Sequence, residues 1–193
     1  TLPGEARVAS TPEVVKKLVG KGFEVAVERR AGSNAHFGDE SFAEAGGTLT
    51  DRAGAYDADV LLKVRRPDLD DVAAMRPGCA FVGLIESCGE DEVVGAMVAK
   101  DIRVLAMERI PRISRAQSMD ALSSQSNIAG YRAVIEAAAQ YGRFLPMMMT
   151  SAGSAKPARL VVLGVGVAGL QAIATARRLG ADVHAYDVRP ETK

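Results

Sequence analysis

A glycine-rich segment near the end of the 193-residue chain constrains the fold more than any other feature. The apolar run at residues 159–163 leads directly into the motif Gly-x-Gly-x-x-Gly at residues 164–169, and a helical pattern continues to Gly180. A second apolar run then ends at Asp187. A strand, a glycine-rich turn, a helix and a second strand make up the βαβ unit of a dinucleotide-binding sheet. The segment therefore predicts a Rossmann-like domain.

Each glycine of this motif has its own physical task. Gly164 permits a tight turn, Gly166 lets backbone N–H groups approach a pyrophosphate, and Gly169 lets the helix pack closely on the strand. The N-terminus of the helix adds unpaired N–H donors and partial positive charge for the phosphates. The alternative is a glycine-rich turn in an α/β fold that binds no nucleotide. The strand–turn–helix context favours dinucleotide binding.

The residue at the end of the second strand indicates which dinucleotide would bind. Asp187 stands eighteen positions after Gly169, where a carboxylate accepts hydrogen bonds from the adenosine ribose and repels a 2′-phosphate. Arg189 follows two residues later, and an arginine there can accommodate such a phosphate. Because Asp187, and not Arg189, occupies the position that contacts the ribose, we expect NAD(H) rather than NADP(H).

Upstream of the motif, short apolar runs alternate with amphipathic segments. Helices are predicted at residues 13–19 and 91–100. For the first of these helices, Thr11 is a capping residue and Pro12 suits the first helical position. The alternation is typical of an α/β fold with a mostly parallel sheet covered by helices. The apolar runs predict buried strands at residues 23–27, 59–64, 79–85 and 102–107.

The α/β pattern breaks at Glu108, and a long Ala-rich helix then begins at Ser126 or Asn127. We therefore predict two Rossmann-like domains with mostly parallel sheets, joined by that helix. A doubly wound sheet is built from two βαβαβ halves, so we expect the second domain to be truncated and residues 1–193 alone to fold marginally or bind dinucleotide weakly. The expected limits are 1–125 for the N-terminal α/β domain, 126–145 for the connecting helix and 146–193 for the first βαβ unit of the second domain.

Composition argues against several classes of function. The 24 basic and 24 acidic residues balance, so we expect no nucleic-acid partner. No apolar run reaches the roughly 18–20 residues that span a bilayer, so we expect no direct membrane insertion of this segment. Cys79 and Cys88 form no disulfide framework and are interpreted as buried small hydrophobic residues in a reducing compartment. The sequence predicts no metal site and no Ser-His-Asp arrangement.

A polar stretch after the predicted strand at 102–107 is the second candidate site. A solvated connection would explain this stretch equally well. In the functional interpretation its side chains bind a carboxamide or a ribose, because loops at the carboxyl ends of strands hold such sites in open α/β folds. The side chains concerned, which no core requires, are Arg112, Arg115, Gln117 and Asp120.

A family resemblance bears on both candidate sites. Residues 111–135, 147–153 and 164–180 resemble the NAD(H)-binding component (alpha subunit, domain I) of proton-translocating NAD(P) transhydrogenases. Residues 3–15 are similar to the shared start of the alanine dehydrogenase and transhydrogenase families. The resemblance covers essentially the whole chain, and the polar loop with its Arg-Gln-Asp pattern is its most specific part.

The resemblance implies a Re/Si-specific, proton-translocating NAD(P)+ transhydrogenase. Hydride would pass directly between NAD(H) on this component and NADP(H) on a partner component. The family also implies a homodimer, a membrane proton-channel component as a further partner, and a peripheral location at the cytoplasmic face of a bacterial inner membrane or on the mitochondrial matrix side. Such chemistry needs apposed nicotinamide rings and exclusion of water rather than a nucleophile or a metal.

The same resemblance assigns roles to individual residues. Arg112, Gln117 and Asp120 would form the catalytic loop. Arg112 and Gln117 would contact the nicotinamide end of NAD(H), and Gln117 and Asp120 would also meet the NADP(H) of the partner. The expected cofactor-binding residues are Arg112, Ile113, Ser114, Arg115, Gln117 and Ser123 at the nicotinamide end, Gly164, Gly166, Val167, Ala168 and Gly169 at the pyrophosphate, and Asp187, Val188 and Arg189 at the adenosine.

Alanine dehydrogenase is the competing family, since it shares the fold and the cofactor. The arginine and lysine with which it binds a 2-oxo acid match Arg7 and Lys63. Its catalytic histidine has no counterpart in residues 81–88, and its loop lacks the Arg-Gln-Asp pattern. Proton transfer typically contributes about 10²–10⁴-fold to a rate, so we interpret Arg7 and Lys63 as structural. A non-catalytic NAD-sensing module is the third hypothesis.

Overall fold

The computed structural model describes residues 4–87 and 91–192. Pro3, at the start of the family resemblance, and Cys88, interpreted above as a buried hydrophobic residue, lie outside these described residues. The chain divides into two compact units, Thr1–Met119 and Asp120–Lys193. Both units contain helices and strands, which alternate in the first unit, and the predicted α/β class is confirmed.

Short strands and helices follow one another in the first unit. Its helices are α1 (Pro12–Val19), α2 (Asp39–Glu44), α3 (Arg52–Tyr56), α4 (Leu69–Ala74) and α5 (Glu92–Ala99). Its strands are β1 (Ala26–Glu28), β2 (Thr48–Thr50), β3 (Val60–Leu62), β4 (Ala80–Gly83) and β5 (Arg103–Ala106). Single 3₁₀ segments occur at Ser33–Ala35, Met107–Arg109 and Ser114–Met119.

The predicted start of α1 is confirmed in atomic detail. The Thr11 hydroxyl accepts a hydrogen bond from the Val14 amide at 3.4 Å, and Pro12 occupies the first helical position. The sequence missed β2, whose three residues are too few to give a pattern.

All strand pairing in the described part of the first unit is parallel. β1 pairs with β2, and β4 lies between β3 and β5 in a three-stranded sheet. Phe81 of β4 is fully buried, and its core neighbours include Val72 of α4 and Met97 of α5. The prediction that all four strands are buried was wrong for three of them: β1 has no buried residue, and Val60 of β3 and Leu105 of β5 are exposed. Successive side chains of a strand point to opposite faces, and these two lie on the face opposite Phe81.

The second unit contains the predicted βαβ arrangement. Its helices are α6 (Ala121–Tyr141) and α7 (Val167–Arg178), and a 3₁₀ segment covers Pro190–Thr192. Its strands are β6 (Met148–Thr150), β7 (Gly153–Ala155), β8 (Arg159–Leu163) and β9 (Asp182–Tyr186). β8 and β9 pair in parallel, and α7 connects them, as the sequence predicted. β6 and β7 form an antiparallel hairpin that was not predicted, because three-residue strands without alternating apolar side chains give no strand pattern.

The long helix begins earlier than predicted. α6 starts at Ala121 rather than at Ser126 or Asn127, since the Asp120 carboxylate caps its first turn. It ends at Tyr141, before Gly142 with a φ of 67°, and so does not extend to residue 145. α6 belongs to the second compact unit and packs against α7 there. The expected limits of 126–145 for a separate connecting helix are corrected accordingly.

Across residues 4–87 and 91–192, no helix combines the length and the apolar character needed to cross a lipid bilayer.

Candidate functional site

The glycine-rich turn has the geometry that phosphate binding requires. Gly164 has a φ of 94°, a conformation that side chains disfavour, and Gly166 caps α7 in an extended conformation. A Cβ on Gly166 would meet no atom within 4 Å, so a ligand group can approach the backbone there. A Cβ on Gly169 would lie 1.9 Å from the Gly164 carbonyl oxygen, so only glycine allows this close packing. The turn therefore fits a dinucleotide pyrophosphate at the start of α7.

Asp187, directly after β9, is tied to this turn. One of its carboxylate oxygens accepts a hydrogen bond from the Val165 amide at 2.6 Å. The Arg189 guanidinium donates to both oxygens at 3.0 Å, and the Arg189 amide donates to one of them at 2.9 Å. The hydrogen bonds from Arg189, followed by that from Val165, hold the pKa of the Asp187 carboxyl well below its usual range. Asp187 is therefore an ionised acceptor next to the glycine-rich turn.

Arg189 affects both the charge of the Asp187 carboxylate and the access of a ligand to its oxygens. The Asp187 side chain is 6% exposed, whereas that of Arg189 is 51% exposed. The guanidinium offsets part of the negative charge that would repel a 2′-phosphate. A ribose that hydrogen-bonds to Asp187 must compete with Arg189 for the carboxylate oxygens. Val188, between the two, is exposed.

Asp120 and Ser123 are brought together at the N-terminus of α6. The Asp120 carboxylate accepts hydrogen bonds from the Ser123 amide at 2.9 Å and from the Ser123 hydroxyl at 2.6 Å. This capping role was missed because the sequence pattern placed the start of the helix farther along the chain. A capping carboxylate satisfies an otherwise unpaired N–H donor and interacts favourably with the helix dipole.

The remaining loop residues lie in the first unit. Ala116, in the 3₁₀ segment Ser114–Met119, is buried and anchors the loop, whereas its neighbours point into solvent. The anchor was also missed, since alanine in a polar run carries no distinctive pattern. The exposed residues of the loop include Arg112, Ile113, Ser114, Arg115 and Gln117.

Glu108 fixes the base of this loop. Its carboxylate accepts hydrogen bonds from the backbone amides of Ile85, at 3.2 and 3.3 Å, and Glu86, at 2.8 Å. Glu86 has a φ of 51°, so the chain turns sharply just after β4. The segments that leave the neighbouring strands β4 and β5 are thereby joined to each other. In the sequence, Glu108 is distinguished only as the residue at which the apolar pattern breaks.

Arg7 and Lys63, which would bind the 2-oxo acid in an alanine dehydrogenase, are both engaged in ion pairs. The Arg7 guanidinium donates to Glu5 at 2.8 Å and, together with Arg65 at 2.7 Å, lowers the pKa of the Glu5 carboxyl to about 2. Lys63 is paired with the buried Asp71. Both contacts support the interpretation of Arg7 and Lys63 as structural residues.

The chain matches models of one protein family over nearly its whole length. Residues 1–129 match the N-terminal domain of the alanine dehydrogenase/PNT family, and residues 133–193 match its C-terminal domain. An NAD(P) transhydrogenase alpha subunit from Rhodospirillum rubrum is 54% identical over 198 residues, covering 99% of this chain and 52% of the relative. The chain spans about half or less of the length of the curated relatives it matches.

Two solved structures share the fold at different levels of identity. A transhydrogenase from Sinorhizobium meliloti superposes with a TM-score of 0.96 at 51% identity, covering 100% of this chain and 56% of that one. An L-alanine dehydrogenase superposes with a TM-score of 0.85 at 26% identity, covering 99% and 54%. The predicted Rossmann-like architecture is thus confirmed.

Proposed function

Because the chain belongs to the alanine dehydrogenase/PNT family, we propose that it is the NAD(H)-binding component of a proton-translocating NAD(P) transhydrogenase. The observation that carries the proposal is the phosphate-binding turn at the start of α7, with the ionised Asp187 carboxylate hydrogen-bonded to it. The 54% identity to a transhydrogenase alpha subunit supports this branch of the family over the other.

In this proposal the second unit holds the nucleotide. The backbone of Gly166, Val167 and Ala168 donates to the pyrophosphate, and Gly164 and Gly169 keep that backbone in place. Asp187 accepts hydrogen bonds from the adenosine ribose, with Val188 and Arg189 beside it. Ser123, held by Asp120 at the N-terminus of α6, lies at the nicotinamide end.

In this proposal the polar loop after β5 orients the reacting ring. Arg112 and Gln117 donate to the carboxamide of the nicotinamide, and Ile113, Ser114 and Arg115 line its approach. Gln117 and Asp120 also meet the second dinucleotide. The bound NAD(H) supplies or accepts the hydride, so the chain needs only to align the ring and exclude water.

The second dinucleotide is NADP(H), held by a partner component, and the proton pathway lies in a membrane component. The complex is a homodimer of this chain with those partners, peripheral to the cytoplasmic face of a bacterial inner membrane or on the matrix side in a eukaryote. The transfer is Re/Si-specific. These statements follow the family and rest on the nucleotide site proposed above.

An alanine dehydrogenase-like, NAD-dependent oxidoreductase of a small 2-oxo acid is the alternative, and the likeness to the fold of an L-alanine dehydrogenase favours it. The residues that would bind the 2-oxo acid argue against it. In this chain Arg7 is bound to Glu5 and Lys63 to Asp71, so a carboxylate substrate would have to displace an internal one.

The test mixes the intact protein with an NADP(H)-binding transhydrogenase component and follows reduction of an NAD analogue by NADPH. We expect exchange that falls sharply in Gln117→Asn. Gln140→Asn, the same change at an exposed position of α6, is the matched control and should leave exchange unaltered. Absence of exchange, together with NADH oxidation on addition of pyruvate and ammonia, would move the assignment to alanine dehydrogenase. NADH binding with neither activity would favour the NAD-sensing module.

A further inference from the structure

At Gly130, α6 and α7 approach each other so closely that no side chain fits between them. Gly130, in the middle of α6, is buried, and a Cβ placed on it would lie 2.1 Å from the Ala168 carbonyl oxygen. The same Cβ would lie 2.8 Å from the Ala168 carbonyl carbon and 3.0 Å from its Cα. All three atoms are backbone atoms, so no rotation of a side chain can relieve the contact. Only glycine allows this spacing of the helices.

The atom that Gly130 contacts belongs to the phosphate-binding turn. Ala168 is the second residue of α7, and Gly169 follows it against the Gly164 carbonyl oxygen. Val165, within the turn, is held by Asp187. The turn is thus fixed by Gly169 from within, by Asp187 after β9, and by Gly130 from the neighbouring helix.

We propose that Gly130 is a positioning residue for the phosphate-binding turn and hence for NAD(H). The inference rests on the proposed function, because it takes NAD(H) to be the ligand of that turn. Ser123 lies seven residues before Gly130, about 10 Å along the helix axis. α6 therefore connects the nicotinamide-end residues at its N-terminus with the pyrophosphate-end residues of α7. The contact at Gly130 sets the spacing between them.

The apolar core between α6 and α7 does not by itself require glycine at position 130. One turn further along α6, Val134 packs with Ala172 and Ala176 of α7 in a conventional apolar core. Glycine in the interior of a helix is unfavourable, so alanine would stabilise α6 if the space allowed it. Gly95, within α5, provides the comparison, since a Cβ there would meet no atom within 4 Å.

The size of the displacement follows from the contact. Real Cβ atoms essentially never approach another heavy atom to less than 3.0 Å, so in Gly130→Ala a separation of 2.1 Å must grow by at least 0.9 Å. A shift of this size lengthens the hydrogen bonds from the backbone amides of the turn to the charged pyrophosphate. Losing the equivalent of one such hydrogen bond corresponds to a rise of about 10- to 100-fold in the Kd for NADH, which we expect for this variant.

The experiment measures NADH binding by calorimetry and the melting temperature of the intact protein and three variants. Gly130→Ala should weaken NADH binding as stated. Val134→Ala should lower the melting temperature by opening a cavity in the same helix pair, with the Kd for NADH unchanged. Gly95→Ala should leave the Kd unchanged and keep or raise the melting temperature.

Each outcome decides a separate question. If the unaltered protein does not bind NADH, the proposed function fails. If it binds NADH and Gly130→Ala binds equally well, the proposed function stands and the role of Gly130 is overturned. If Gly130→Ala is not folded, the measurement is repeated with sucrose as a stabilising osmolyte. A variant that stays unfolded there also overturns the proposal, because Gly130 would then serve the fold as a whole.

Discussion

Lys63 distinguishes the two proposed enzyme functions. In a transhydrogenase component it is a structural residue, whereas in an alanine dehydrogenase it would bind the 2-oxo acid. Its ammonium group contacts the Asp71 carboxylate, which is 1% exposed, while Lys63 itself is 17% exposed. Asp71 also accepts hydrogen bonds from the Tyr56 hydroxyl at 2.5 Å and from the Asp68 amide at 3.1 Å, and it pairs with Arg52. Burial raises the pKa of Asp71, but the hydrogen bonds from Lys63 and Tyr56 outweigh burial and bring that pKa to about 2.

Replacing Lys63 by methionine keeps the apolar stem and removes the charge. Breaking a buried ion pair by removing one partner costs roughly 3–5 kcal/mol, because the other charge stays buried. Since Tyr56, Asp68 and Arg52 still contact Asp71, we expect a loss near the lower limit, about 3 kcal/mol in the free energy of unfolding. Lys63→Met/Asp71→Asn should recover part of this loss, because a neutral amide is less costly to bury.

The assay is urea unfolding of the intact protein at neutral pH, followed by far-UV circular dichroism. Lys17→Met is the matched control: Lys17 pairs with Glu13 on the exposed surface of α1, so its loss should leave the free energy of unfolding almost unchanged. A Lys63→Met protein within about 1 kcal/mol of the unaltered protein would refute the structural assignment. Loss of a pyruvate- and ammonia-dependent oxidation of NADH at unchanged stability would give Lys63 the substrate-binding role instead.

Three carboxylates outside this ion pair can be tested by substitution. Asp187→Asn removes the charge that repels a 2′-phosphate while Arg189 remains, so the ratio of the NADPH to the NADH dissociation constant should fall in binding titrations. The pKa of Glu5 is lowered from 4.5 to about 2, so its contribution to stability is fully present above pH 4.5 and disappears as the pH falls towards 2; Glu5→Gln should flatten this acid limb in melts recorded against pH. Asp120→Ala should destabilise α6 by about 1 kcal/mol, whereas Asp120→Asn keeps a capping oxygen for Ser123. If Asp120 acts on the second dinucleotide through its charge, Asp120→Asn should slow exchange with NADP(H) at unchanged melting temperature.

Local patterns were sufficient for the parts of the fold that depend on neighbours along the chain. Thr11 and Pro12 identify the start of α1, and the glycine motif identifies the turn between β8 and α7. These signals work because a cap, a tight turn and an apolar period each involve residues within a few positions of one another. The predicted start of α6 was wrong for a related reason. Several polar residues near Asp120 are suitable caps, and nothing local shows which of them is used.

The sequence by itself determined an α/β chain with a glycine-rich turn between a strand and a helix, and an acidic residue after the second strand of that βαβ unit. Only the tertiary structure decided which polar groups meet. It joins Asp187 to Val165 and Arg189, Lys63 to Asp71, and Glu108 to the backbone after β4. It also places Gly130 against Ala168, 38 residues away along the chain. Hydrophobic periodicity reports which face of an element is buried, but not which element covers it. Contacts between distant residues depend on how closely the packed backbones approach, and that distance is set by the packing of whole elements.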